Sequence, residues 1–157
     1  MMNVFFPDEE ITEDDLYFMC YMIEKTARTL HVRNREVVNS IGYDELVKKI
    51  SLASVLHSEN PLQVVDDWIK EYNLKNGDFD ILDVDKELVE NPPTATQMGK
   101  VYKRLILNTL EPNEDYIHAL IRVYNSKICD IIDDYNSSAY YEPMPTIIRG
   151  YYNSTFN

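Results

Sequence analysis

Residues 16–30, LYFMCYMIEKTARTL, place apolar side chains so densely at helical spacing that a helix formed here has to be covered on two sides. At about 100° per residue, Leu16, Cys20, Ile23, Ala27 and Leu30 fall in one narrow stripe. Phe18, Tyr21 and Met22 point to roughly the opposite side, so the first half of the segment is apolar nearly all round. Such a helix needs either the rest of the chain or another protein around it. In its second half Lys25, Arg28 and Thr29 return that side to polarity, and Glu24 stands four residues before Arg28, the spacing of a helical ion pair.

The boundary signals elsewhere are helical too. Thr12 with Asp15 three residues on reads as a capping box, supported by Glu13 and Asp14 in the first turn. Shorter helices are predicted over 34–40, with Val37 and Val38 and closed by Gly42, and over 43–50, with Leu46, Val47 and Ile50; residues 51–57 continue the pattern. Asn60, Pro61 and Gln63 read as an N-cap, a first helical position and the third member of a capping box. Leu62, Val65, Trp68, Ile69 and Tyr72 form the inner face of that helix, and Asn76-Gly77 ends the region. After Pro92 and Pro93, Thr94 and Gln97 make a further capping box ahead of Met98, Val101, Tyr102, Leu105 and Ile106. From about Asn113 to Asn136, Ile117, Ile121, Tyr124, Ile128, Ile131, Ile132 and Tyr135 keep a single stripe and predict one long helix. A short helix is expected after Pro145. With only four glycines in the chain, tight strand turns have few places to form. The expected fold is therefore all-α, a bundle of about six to eight helices in two packed lobes. The N-terminal lobe spans 1–77, an acidic linker 78–93, and the C-terminal lobe with a tyrosine-rich tail 94–157.

Charge narrows the function classes. A net charge of -12 and a pI near 4.6 would repel a phosphate backbone, so direct nucleic-acid binding is not expected. A partner protein with a basic surface suits this charge, and a homo-oligomer is compatible with it. The opening MMNVFFPDEE is too short and too acidic for a signal peptide. No apolar run approaches the ~18 residues of a membrane span. The expectation is a cytoplasmic protein that does not enter a membrane.

The chemistry-bearing residues point away from catalysis. Cys20 lies in the middle of the apolar stripe and Cys129 on a helix flank, which is the pattern of core cysteines rather than of activated nucleophiles. His31, His57 and His118 are isolated from one another and from cysteine clusters, so no metal set is expected. DFDILDVDKE opens like a calcium loop, but Leu82 occupies the fifth ligand position and Asp83 the place of the sharp-turn glycine. No phosphate-cradling loop is present, and no cofactor is expected. Two features suit a partner instead. The linker concentrates acids, among them Asp78, Asp80, Asp83 and Asp85, and the tail carries Tyr140, Tyr141, Tyr151 and Tyr152, a residue type favoured where one end is apolar and the other wet.

The order DLYFMCYMIEKTARTLHVRNREVVNSI, a short helix, then ASVLHSENPLQVVDDWIKEYNL resembles a small helical bacterial domain of unknown function. Members carry Ile-Glu near the middle of an apolar first helix, here Ile23 and Glu24. A Leu-His before a turn, here Leu56 and His57, and a final helix, here from Pro61, complete the pattern. The resemblance covers about residues 14–74. Members are often encoded beside ADP-ribosyltransferase-like toxins, and the resemblance implies an antitoxin-like or regulatory role. Two readings follow. One is a non-enzymatic inhibitor that occludes a partner, with the toxin as a candidate. The other is an acidic, nucleic-acid-mimicking inhibitor of a defence nuclease, of the phage anti-defence or anti-CRISPR type.

Overall fold

The computed structural model describes residues 1–156 and places α1 (Glu13–Leu30) at the centre of an all-α bundle. Around it come α2 (Asn34–Ile41), α3 (Tyr43–Ser51), the single turn α4 (Ala53–Leu56) and α5 (Pro61–Glu71). After an irregular segment follow α6 (Ala95–Asn108), α7 (Tyr116–Tyr124), α8 (Lys127–Ile132), two 3₁₀ turns at Tyr135–Ser137 and Ala139–Tyr141, and α9 (Met144–Asn153). Among the described residues there is no sheet, only an isolated bridge between Met2 and Glu10.

The apolar surround of α1 is covered by the chain itself. α2, α3, α4 and α5 pack on one part of it and α6 on the other. Leu16, Met19, Cys20, Met22 and Ile23 are all buried, as is Phe18, whose ring lies 5.3 Å from that of His57. The core is continuous across both halves of the sequence: Trp68 and Leu46 belong to it, and so do Tyr102, Leu105, Ile117, Leu120 and Tyr124. No helix is long and apolar enough to cross a membrane among the described residues.

The caps form as their chemistry requires, with one change. Thr12 Oγ1 accepts from the Asp15 amide while Asp15 accepts from the Thr12 amide, and Thr94 and Gln97 do the same. At Asn60 the side chain accepts from the Leu62 amide, but Gln63 donates to Asp67 instead of closing a box. The predicted long helix over 113–136 is split. Asn125 ends α7, its side chain exchanging hydrogen bonds with Asn39, and Ser126 turns extended before α8 begins. The apolar stripe survives the break, because Ile117, Tyr124, Ile128 and Ile132 all remain buried.

The segment from 78 to 93 is neither helix nor strand, but it is pinned. Gly77 donates its amide to the Leu30 carbonyl and Phe79 donates to that of His31, so the linker satisfies acceptors that the C-terminal end of α1 leaves open. A Cβ on Gly77 would come within 2.8 Å of the His31 oxygen, which explains the glycine. Asp80 and Asp85 each accept a hydrogen bond from the amide two residues on, Asp85 donates its amide to Asn136, and Ile81 and Val89 are pegged inward.

Gly99 sets the approach of α6 to α1: a Cβ there would lie 3.0 Å from the Tyr17 ring and 3.2 Å from the Tyr21 backbone. Gly99→Val should therefore lower stability by about 1–3 kcal/mol through overpacking, although glycine is a poor helix former. Equilibrium urea unfolding measures this, and a stabilised variant would contradict the close approach.

Candidate functional site

Glu24 is the charged residue that the packing of α1 leaves inside, at 1% exposure. A carboxylate in such a place has to be hydrogen-bonded and paired. Arg28 Nε, one turn on, donates to Glu24 Oε2 at 2.7 Å, and the Tyr135 hydroxyl donates to the same oxygen at 3.0 Å. Asn34, at the start of α2, donates to Oε1 at 3.0 Å. Arg28 also reaches the Pro93 carbonyl and the Tyr135 oxygen, and its guanidinium faces the Tyr135 ring. The same Asn34 amide donates to Asp133 Oδ2 at 3.2 Å, and Tyr102 donates to Asp133 Oδ1 at 2.6 Å. Cys129, four residues before Asp133, donates its thiol to Oδ2 and lies 3.0 Å from the Tyr102 oxygen.

The guanidinium thus pairs Glu24 alone, and Asp133 is held by the neutral donors Asn34, Tyr102 and Cys129. Burial first, and the Glu24 carboxylate second, push the Asp133 carboxyl up to about 7. Burial also drives the Tyr102 hydroxyl well above its ordinary range. The thiols are held protonated by the same cause: burial pushes Cys20 up to about 12 and Cys129 well above its usual value. Neither offers a thiolate near neutral pH. The Tyr124 hydroxyl sits by Cys20 without completing a hydrogen bond, and His57 lies against Phe18, away from any thiol hydrogen bond. No group of three or more His, Cys, Asp or Glu is arranged to hold a metal ion among the described residues.

Asp133 and Tyr135 also form the floor of a surface cleft of about 290 Å³. The pinned linker supplies one wall with Phe79, Asp80 and Asp83, and the α8 end supplies the other with Asp130 and Asp134. A single cation stands in it. Arg33 stacks 4.1 Å above the Phe79 ring and lies 3.6 Å from Asp130, which Arg35 also pairs. The cleft is a preformed concavity with five aspartates and one arginine, able to receive a basic side chain.

Compared with protein-family models, with curated proteins and with solved structures, the chain has no significant match in any of the three.

The residues singled out from sequence are distributed over three places. Asp80 and Asp83 share the acidic cleft; Asp85 is nearby, turned into the linker by its bond to Glu87; Asp78 is exposed at the linker start. Tyr140 packs edge-on against Tyr135 and Tyr141, and both Tyr140 and Tyr141 line a different groove beside α6. Tyr151 accepts a hydrogen bond from Arg122, which Glu114 also holds, so it ties α9 to α7, while Tyr152 is exposed beside it. Sequence reasoning missed Asn34, Tyr102, Asp130, Asp133 and Asp134. The spacing of Cys129 and Asp133, one turn apart beside the apolar stripe, is the available signal for an inward carboxyl.

A folded-state value of about 7 for Asp133, against about 3.9 in the unfolded chain, means that the native state holds the extra proton between those values. Its contribution is fully favourable below about pH 4 and is lost as pH rises through about 7. Asp133→Asn should flatten the fall in stability between pH 5 and pH 8 by on the order of 1–3 kcal/mol relative to the parent. Parallel denaturant titrations at the two pH values measure it, and identical slopes would refute the assignment.

Proposed function

We propose that this protein is a non-enzymatic inhibitor that restrains a partner protein by covering a basic site on it, in the manner of an antitoxin, and that the partner is an ADP-ribosyltransferase-like toxin. The observation that carries this reading is the acidic cleft. Five aspartates line one concavity, Asp133 engaged from within and Asp130 paired with Arg33 and Arg35. That leaves Asp80, Asp83 and Asp134 to meet a cation on walls fixed by backbone hydrogen bonds and buried pegs, so little ordering remains to be done on binding. Leu82 and Leu88 stand exposed on the same linker and supply apolar contact next to the charge. A lysine or arginine from the rim of the partner's active site would enter the cleft, and the linker would lie across the opening and exclude substrate. A nucleic-acid mimic would need its carboxylates spread along a face at phosphate-like spacing; a single concave cluster suits a protruding basic side chain better.

The resemblance of residues 14–74 to a domain encoded near such toxins supports the choice of partner, and the cleft supports the mode of binding. Co-expression with the product of the adjacent open reading frame tests both. The parent protein should suppress that product's toxicity and co-purify with it. Asp80→Lys combined with Asp83→Lys should weaken the complex at least about tenfold and reduce its salt dependence, because close charge pairs steer and hold such interfaces. A complex unaffected by the double reversal would remove the cleft from the interface. Undiminished toxicity with no complex would remove the antitoxin role.

A further inference from the structure

The N-terminal loop presents apolar side chains to water in a fixed conformation. Phe5 and Phe6 retain 47% and 40% of their surface, and Met2 and Val4 are more exposed still. The loop is nevertheless held firmly by a buried residue beneath it. Asn3 accepts from the Phe5 and Phe6 amides at 2.9 Å each and donates its own amide to the Ser51 carbonyl at 2.8 Å. The Val4 amide donates to Ser51 Oγ, and the Glu9 amide closes the turn on the Phe6 carbonyl. Packing therefore does not account for two solvent-facing phenylalanines on a loop whose backbone is anchored by its neighbour. Immediately after them Asp8, Glu9 and Glu10 are exposed and take part in no ion pair among the described residues.

A complementary surface exists on the same molecule. Lys100, Val101, Arg104, Tyr140, Met144 and Ile147 line a groove of about 340 Å³ between α6 and the start of α9. Lys100 and Arg104 of the groove, with Lys103 in the adjoining hollow that they share with Asp14, have no salt-bridge partner among the described residues, in a chain where acids outnumber bases by 27 to 15. Glu142 stands at the groove edge, so the rim is cationic without being uniformly so. The groove shares no lining residue with the acidic cleft.

We propose that the occupant of this groove is the N-terminal loop of a second copy of the chain. Phe5 and Phe6 would enter between Tyr140, Met144 and Ile147, and the acids that follow would meet Lys100 and Arg104. Each protomer carries both the loop and the groove, so a two-fold arrangement makes the contact twice, with each loop seated on its partner. Aromatic anchors on a preorganised loop are the side chains that dominate such interfaces. The acids beside the phenylalanines oppose insertion into an anionic lipid surface, which separates this loop from a membrane anchor.

Sedimentation equilibrium of the full chain, over concentrations from about 1 μM to about 1 mM, tests the proposal. The parent should form a concentration-dependent dimer. Phe5→Ser with Phe6→Ser, and separately Lys100→Glu with Arg104→Glu, should each weaken it about tenfold or more. The second pair lies on the exposed face of α6, so its fold, checked by circular dichroism, stays intact even if the loop variant disturbs packing at Ser51. Adding Glu9→Lys and Glu10→Lys to the Lys100→Glu and Arg104→Glu chain should restore dimerisation to within about tenfold of the parent. A parent that stays monomeric throughout, a dimer that survives the α6 reversal, or a reversal that the loop lysines do not rescue would each overturn it.

Discussion

Glu24 cannot be buried on α1 unless a neighbour on that helix and two other parts of the chain come to it. Desolvating a carboxylate is costly by several kcal/mol, and leaving it unpaired typically loses about 3–5 kcal/mol. Arg28 supplies the charge from the next turn, Asn34 an amide from α2, and Tyr135 a hydroxyl from beyond α8. Each of those groups is in turn held elsewhere, Arg28 by the Pro93 carbonyl and Asn34 by Asp133. The position of α6 relative to α1, the turn that follows α8 and the entry of α2 are therefore set by one polar cluster as much as by apolar burial.

That cluster and the surface cleft are joined through Asp133 and Tyr135, which belong to both. A positive charge arriving at the cleft would favour the ionised form of Asp133 and so pull against the burial that raises its carboxyl. Binding at the cleft and the protonation of the bundle's interior are coupled by this arrangement. The linker contributes to both as well, since its first amides complete the end of α1 and its aspartates form the cleft wall.

Helical periodicity and capping chemistry made most of the bundle legible. Thr12 with Asp15 and Thr94 with Gln97 mark the starts of α1 and α6 because a cap is a local contact, made by residues three apart. The break between α7 and α8 is hidden because the apolar stripe keeps its phase across it, while the pairing of Asn125 with Asn39 that accompanies it is a contact between residues 86 apart. The i,i+4 spacing of Glu24 and Arg28 marks an ion pair but says nothing of its depth. Its burial depends on where Tyr135 and Asn34 arrive. The acidity of the linker was plain in the sequence. Its folding against Arg33, Asp130 and Asn136, which turns a charge run into a concavity, was not, because those partners belong to other elements.

The Tyr135 hydroxyl reaches back across 111 residues to Glu24. During synthesis the first helix therefore leaves the ribosome long before its interior charge has a full set of partners. Arg28 and Asn34 emerge with it, but Asp133 follows Asn34 by 99 residues and the hydroxyl follows Glu24 by 111. A nascent chain that stops short of α6 would carry an apolar helix with one bare face, and completion of the polar cluster would wait for the turn after α8. Order of synthesis thus turns a thermodynamic pairing into a temporal one, in which the turn carrying Asp133 and Tyr135 closes the cluster that α1 opens.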